Sequence, residues 1–93
     1  MVFEFNLSQQ VIEIMSQLQV KDKQLLFELN KKIKQIIASD NETINHYKNL
    51  RYGLSDYKRV HIGNSFVLLF SVNFKNNIIN FIKFDHHDKI YKK

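Results

Sequence analysis

The spacing of apolar residues changes halfway along this chain, from the period of an α-helix to that of a β-strand. In the first half, apolar side chains recur three and four positions apart, as in Val11, Ile12, Met15 and Leu18. From residue 57 onward they alternate with polar residues or form short continuous runs. The first pattern predicts helices and the second predicts strands. We therefore expect an α+β fold, and residues 1–93 are long enough for a single domain.

Two helices are predicted to follow a short first strand at residues 2–5. Ser8 and Asp22 carry side chains that commonly cap helix N-termini, and the brief connection at residues 19–21 predicts an antiparallel helical hairpin. The second helix carries an apolar stripe and turns its lysines mostly outward. That stripe consists of Leu25, Leu26, Leu29, Ile33, Ile36 and Ile37. Residues 39–56 are polar and irregular, which is typical of a loop.

Three antiparallel strands are predicted after this loop, at residues 57–62, 66–72 and 78–84. The turn residues Gly63 and Asn64 separate the first two, and residues 73–77 separate the last two. The middle run is almost entirely apolar, as expected for a strand inside a sheet. Since the apolar stripes of the helices need a partner, we expect the N-terminal strand and helical hairpin to pack on one face of an antiparallel β-meander.

Alternation along the strands assigns side chains to the two faces of this sheet. It puts Val60 and Ile62 on one face and Arg59 and His61 on the other. In the last predicted strand it puts Ile82 and Phe84 on one face, and Phe81 and Lys83 on the other. The face away from the helices is therefore expected to display Arg59, His61 and Lys83.

Charge is unevenly distributed along the chain. Residues 1–45 hold five lysines and six acidic residues, whereas residues 46–93 hold nine lysines and arginines, three acidic residues and all four histidines. The net charge is therefore −1 for residues 1–45 and +6 for residues 46–93, which favours a polyanion-binding surface formed by the second half. The absence of cysteine excludes disulfides and cysteine–zinc sites. Neither a membrane span nor a signal peptide is recognisable, so we expect a cytoplasmic protein that binds no membrane.

The histidines suggest proton-transfer chemistry on a phosphodiester, such as that of RNA. Metal-independent RNA cleavage needs a base for the 2′-hydroxyl proton, an acid for the leaving 5′-oxygen and positive charge at the phosphate. Histidine gives or takes a proton near neutral pH. We predict His61 and His87 as the acid–base pair, in either order, with Lys83 and Arg59 at the scissile phosphate. Tyr91 is expected to orient or stack a base.

Further candidates surround this set. His46 is a third candidate for proton transfer, and His86 ranks below His87 because neighbours on an extended chain point in opposite directions. Lys58, Lys48 and His86 complete the predicted RNA-binding residues. The predictions include no cofactor and no metal. A mixed metal site is the minor alternative, and it would use His61, Asp85, His86, His87 and Asp88.

Three segments resemble the RelE/ParE superfamily of toxins from toxin–antitoxin pairs, especially its YafQ-like branch. Residues 59–70 (RVHIGNSFVLLF) resemble the basic strand, glycine turn and apolar strand of that superfamily. Residues 81–91 (FIKFDHHDKIY) resemble its final strand and terminal His/Arg-x-x-x-Tyr/Phe signature. Residues 46–50 (HYKNL) are similar to its loop before the meander. The order of elements matches over essentially the full length.

The resemblance implies an mRNA endoribonuclease (mRNA interferase) that cuts codons in the ribosomal A site, contacts ribosomal RNA and is silenced by a cognate antitoxin. The chain departs from the family at three positions. Phe66 stands where many RelE-like toxins have arginine, Ser65 where YafQ-like toxins have aspartate, and His87 where RelE itself often has arginine. Phe66 and Ser65 motivate an alternative: a non-catalytic or ParE-like toxin that acts by binding another protein.

Overall fold

A computed structural model describes residues 3–48 and 57–90 and confirms the α+β class. Its elements in chain order are β1 (Glu4–Leu7), α1 (Gln9–Lys21), α2 (Lys23–Ile37), α3 (Asn41–Ile44), β2 (Lys58–Ile62), β3 (Phe66–Asn73), β4 (Ile78–His86) and α4 (His87–Ile90). The four strands form one sheet in the order β1-β4-β3-β2. β2, β3 and β4 are antiparallel, as predicted, and β1 joins the edge of this meander parallel to β4.

Both predicted helix caps are present. The Ser8 hydroxyl accepts a hydrogen bond from the Val11 amide at 3.2 Å, and the Asp22 carboxylate accepts one from the Leu25 amide at 3.1 Å. Such bonds satisfy amide groups that the first turn of a helix leaves without partners. Asp22 also ends α1, where its own amide donates to the Leu18 carbonyl. A single residue therefore joins the two helices of the hairpin.

The core lies between the helical hairpin and one face of the sheet. Leu29 and Ile36 of α2 and Phe70, Phe81 and Phe84 of the sheet are fully buried there. The remaining core residues include Phe3, Val11, Leu18, Leu25, Ile33, Ile44, Ile62, Leu68 and Ile79. Burying an aromatic side chain of this size contributes about 2–3 kcal/mol, so the three phenylalanines are major contributors to stability.

A β-bulge in β4 corrects one predicted assignment of faces. Phe81 and Phe84 are both 0% exposed, although strict alternation separates them. Their strand is out of step with β3 by one residue between Phe81 and Lys83, which leaves Ile82 as the extra residue. A bulge of this kind puts two residues of one strand opposite one of its neighbour. The prediction that Phe81 and Lys83 share a face was therefore wrong, while Lys83 does lie on the face away from the core.

The predicted loop at residues 39–56 contains the short helix α3 in its described part. The Asp40 carboxylate accepts a hydrogen bond from the Thr43 amide at 2.7 Å, and the hydrogen bonds from Thr43 lower the pKa of Asp40. Ile44, the last residue of α3, is fully buried in the core. This segment is consequently anchored to the domain. None of the helices that the structure describes is long and apolar enough to cross a membrane.

Candidate functional site

The candidate site lies on the sheet face turned away from α1 and α2, called the outer face below. Two cross-strand rows of side chains define it: Arg59, Leu69 and Lys83 in one, and His61, Val67 and Asp85 in the next. Neighbouring strands lie about 4.8 Å apart, so the two cations of the first row are about 10 Å apart at their backbones. As predicted, Arg59, His61 and Lys83 share one face.

The two histidines chosen from the sequence are brought together. The rings of His61 and His87 are stacked, with centroids 6.1 Å apart and an interplanar angle of 29°. His61 is held by its pairing in β2, and His87 begins α4 directly after β4. The His87 amide donates to the Ser65 carbonyl at 2.6 Å. This bond continues the pairing of β3 with β4 by one residue and fixes where His87 leaves the sheet.

Asp88 lies beside the His87 ring. Its Oδ1 is 3.4 Å from Nδ1 of His87, and the Asp88 side chain is 83% exposed. A carboxylate at this position favours the tautomer that carries its proton on Nδ1. In that tautomer Nε2 carries the lone pair that can accept a proton, so Asp88 can orient the ring for base catalysis.

His86 points away from this pair, as expected for neighbours on a strand. Its ring contacts Phe66 edge-on with centroids 5.7 Å apart, on the core side of the sheet. Nδ1 of His86 accepts a hydrogen bond from the Asp88 amide at 3.2 Å. The same nitrogen is 3.7 Å from an Asp88 carboxylate oxygen, which is too long for a hydrogen bond, so the amide is its effective partner. His86 is therefore separated from the outer face.

Lys58 does not lie on the predicted RNA-binding surface. It was predicted to contact RNA, but it lies on the core side of β2, is only 9% exposed and donates from Nζ to the Tyr47 carbonyl at 3.3 Å. This burial lowers the pKa of the Lys58 ammonium group. Lys58 supports the segment before β2 and does not share a surface with the histidine pair.

The remaining predicted residues lie at the edge of the sheet or beyond the described chain. The Lys48 carbonyl accepts a hydrogen bond from the Arg59 amide at 2.9 Å, so Lys48 lies beside β2 at the edge of the sheet, and His46 lies two residues before it. His46 and Lys48 are exposed there. Tyr91 lies outside the described residues.

The mixed metal site is not formed by the described residues. Within 3–48 and 57–90, no group of three or more histidine, aspartate or glutamate side chains is placed to hold a metal ion. His86 faces Phe66, so the proposed set of His61, Asp85, His86, His87 and Asp88 does not converge.

A cleft beside His61 was not anticipated from the sequence. It has a volume of about 220 Å³ and lies between α2 and the end of β2. On the helix side it is lined by Glu28, Lys31, Lys32 and Gln35 of α2, and on the sheet side by His61 and Gly63. The four α2 residues share one helical face because they are three and four positions apart. That spacing was visible in the sequence, but only the fold shows that the face lies against His61.

Sequence comparison identifies the family. A protein of Methanocaldococcus jannaschii named "Putative toxin RelE4" is 42% identical to this chain over 92 residues, which cover 99% of the chain and 94% of that protein. The chain belongs to the RelE family of toxins. No protein-family profile matches it.

Solved structures agree with the RelE-like fold. YafQ from Escherichia coli strain BL21(DE3) superposes with a TM-score of 0.74 at 13% identity, covering 96% of this chain and 98% of YafQ. A chain of the toxin–antitoxin complex RelBE2 from Mycobacterium tuberculosis superposes with a TM-score of 0.72 at 12% identity, covering 91% of each chain. At such low identity these two likenesses concern the fold alone, and they confirm the architecture predicted from the sequence.

Proposed function

We propose that this RelE-family toxin is an endoribonuclease that cuts mRNA on the ribosome by metal-independent acid–base chemistry. The observation that supports it is the stacked pair of His61 and His87, with ring centroids 6.1 Å apart on the outer face. The neighbouring row of that face carries Arg59 and Lys83. Two groups that can exchange protons therefore lie beside two that can bind phosphate.

Each histidine transfers one proton in the proposed reaction. One imidazole takes the proton of a ribose 2′-hydroxyl, and the 2′-oxygen then bonds to the adjacent phosphorus. The bond from phosphorus to the 5′-oxygen breaks, and the second imidazole gives its proton to that oxygen. The products are a 2′,3′-cyclic phosphate and a 5′-hydroxyl end. Asp88 favours His87 as the base because it directs Nε2 of His87 away from the carboxylate.

Arg59 and Lys83 stabilise the charge of the transition state. Negative charge builds on the non-bridging oxygens as the 2′-oxygen attacks, and fixed cations near those oxygens lower the barrier. Arg59 can donate two parallel hydrogen bonds to a phosphate, whereas Lys83 acts as a compact positive charge. Asp85, in the same row as His61, keeps the local charge from being wholly positive.

The proposed partners are a cognate antitoxin, mRNA and ribosomal RNA. RelBE2, which shares the fold, was solved as a toxin–antitoxin complex. The excess of positive charge after residue 45 suits a protein that works against ribosomal RNA.

The departures at Ser65 and Phe66 leave this proposal intact. Ser65 holds His87 through its backbone carbonyl, which any residue provides. Phe66 lies on the core side, where its ring stacks on Phe84 with centroids 5.3 Å apart. Neither side chain is therefore needed on the outer face. Tight binding to a protein target without any mRNA cleavage would instead support the non-catalytic alternative.

The experiment compares cleavage of a translated mRNA by the wild type, His61→Ala, His87→Ala and the double variant. Loss of one proton-transfer group is expected to slow cleavage by about 10²–10⁴-fold. The double variant is expected to be little slower than either single variant, because the two act as a unit. Lys75→Ala is the control, since Lys75 is an exposed cation in the turn at the opposite end of β3 and β4.

The pH dependence of the cleavage rate gives a second test. A base and an acid acting together produce a bell-shaped profile, and each single variant should lose one limb of it. Cleavage by His87→Ala at the wild-type rate would remove His87 from the mechanism.

A further inference from the structure

We propose that the cleft between α2 and β2 is a second phosphate-binding site, in which Lys31 and Lys32 hold RNA phosphates next to the linkage bound at the histidine pair. This inference rests on the proposed function and extends it from the scissile phosphate to the path of the RNA strand. The cleft and the outer face have His61 in common. An RNA strand at the histidine pair therefore reaches the cleft by crossing the end of β2.

The turn after β2 is what brings the cleft to His61. Gly63 has a φ of +65°, a conformation that glycine adopts without strain, and it packs directly on α2. A Cβ atom at Gly63 would lie 3.5 Å from Leu25 Cδ1 and 3.6 Å from Glu28 Oε2. Because the turn lies so close to α2, His61 and the lysines of α2 line the same space.

The charges in the cleft favour phosphate at one end. Lys31 and Lys32 contribute two ammonium groups and Gln35 an amide, while Glu28 contributes one carboxylate. An adjoining cleft of about 310 Å³ also includes Glu28, together with Asp22 and the residues of the β2–β3 turn. The groove is therefore acidic at Asp22 and Glu28 and basic about one turn after Glu28, at Lys31 and Lys32.

This distribution of charge determines which way along α2 the RNA backbone runs from His61. Phosphates are repelled from the Asp22 and Glu28 end and attracted to the Lys31 and Lys32 end. The strand is thus expected to pass from the outer face over His61 and continue along α2 toward Gln35. A protein that follows a single strand in this way relies on cations spaced along a groove.

The test measures binding of a fluorescent single-stranded RNA, 2′-O-methylated so that it cannot be cut, as a function of salt concentration. Each phosphate contact to a single strand contributes about 0.7 to the slope of log affinity against log salt. The double variant Lys31→Gln/Lys32→Gln is expected to lower this slope by about 0.7–1.4 and to weaken binding at low salt. Glu28→Gln is expected to tighten binding.

Lys23→Gln/Lys34→Gln is the matched control. It removes the same charge from the same helix, but neither Lys23 nor Lys34 lines the cleft. Its slope is expected to stay within error of the wild-type slope. Circular dichroism of each variant establishes that it is folded.

The salt dependence of RNA binding distinguishes four outcomes. A smaller slope only in the Lys31/Lys32 variant supports the site. An equal decrease in both double variants would show a general charge effect and overturn it, and so would an unchanged slope or an unbound wild type. The cleavage assay is a separate readout. If the Lys31/Lys32 variant keeps the wild-type slope while His61→Ala abolishes cleavage, the phosphate site is refuted and the proposed function stands. If the slope of that variant falls but the wild type cuts no mRNA, the phosphate site stands and the proposed function is refuted.

Discussion

The side chain of Gln10 forms hydrogen bonds with the backbone of β4 like those of a neighbouring strand. Its removal should destabilise the fold by a predictable amount. Strand β1 ends at Leu7, opposite Phe81, so within residues 3–48 and 57–90 the next residues of β4 have no strand beside them on that edge. Nε2 of Gln10 donates to the Phe84 carbonyl at 2.9 Å, and the Phe84 amide donates to Oε1 of Gln10 at 2.9 Å. The side-chain amide thus makes the two hydrogen bonds that a peptide group would make.

The magnitude follows from these two bonds. Both are partly buried, and a hydrogen bond of this type contributes about 1 kcal/mol to stability. Gln10→Ala removes both, and the better helix propensity of alanine returns a few tenths of a kcal/mol. We expect the free energy of unfolding to fall by about 1.5–2 kcal/mol, a large part of the about 5–15 kcal/mol typical of such domains.

Urea denaturation followed by circular dichroism measures this change. Gln9→Ala is the control, because Gln9 is exposed and its side chain donates a hydrogen bond to Glu13, one turn along the same helix, at 3.2 Å. The free energy of unfolding of Gln9→Ala should stay within about 0.5 kcal/mol of the wild-type value. Gln10→Glu keeps the acceptor for the Phe84 amide but lacks a donor at pH 7, so it should be less stable at pH 7 than when protonated near pH 4. Equal stability of Gln10→Ala and Gln9→Ala would refute the reasoning.

Three other substitutions test separate features. Ser8→Ala removes the bond from the Val11 amide and the Ser8 hydroxyl's own bond to the Ile82 carbonyl at 2.6 Å, so thermal unfolding should show a loss of about 1–2 kcal/mol. Gly63→Ala meets no clash but requires a left-handed backbone, which should cost about 1–2 kcal/mol in urea titrations, while Asn64→Ala serves as the control. Burial lowers the pKa of Lys58 below its ordinary 10.5, so the folded chain releases that proton first and the free energy of unfolding should rise with pH between the folded-state pKa and 10.5. Burial raises the pKa of Tyr47 and acts in the opposite sense, so the difference between wild type and Lys58→Met isolates the lysine; parallel pH curves for the two would contradict the assignment.

Features determined within one element could be predicted from the sequence. The caps at Ser8 and Asp22 depend on residues three positions away, and the apolar stripe of α2 depends on helical spacing alone. The common face of Arg59 and His61 follows from strict alternation in β2. The family resemblance, carried by short motifs, was confirmed by comparison with whole sequences.

Features that depend on a distant neighbour could not be predicted. The bulge at Ile82 arises from the register with β3, and nothing in the spacing of β4 alone shows it. Helix α3 offers a single buried apolar residue, Ile44, which is too little for a periodic signal. Lys58 is different: alternation places it on the core side with Val60 and Ile62, whereas its charge favours the surface, and in the structure its position decides. Long lysine side chains can bury their aliphatic part in this way.

The pairing of β1 with β4 also determines when the sheet becomes complete during synthesis of the chain. Glu4 pairs with Ile78 and Leu7 with Phe81, so β1 must wait for a strand that is synthesised much later. Such distant pairing is slow to form. A nascent chain that has not reached β4 lacks the strand that Gln10 contacts and lacks His87 as well. The chain therefore cannot bring His61 and His87 together until β4 has been synthesised and has paired with β3.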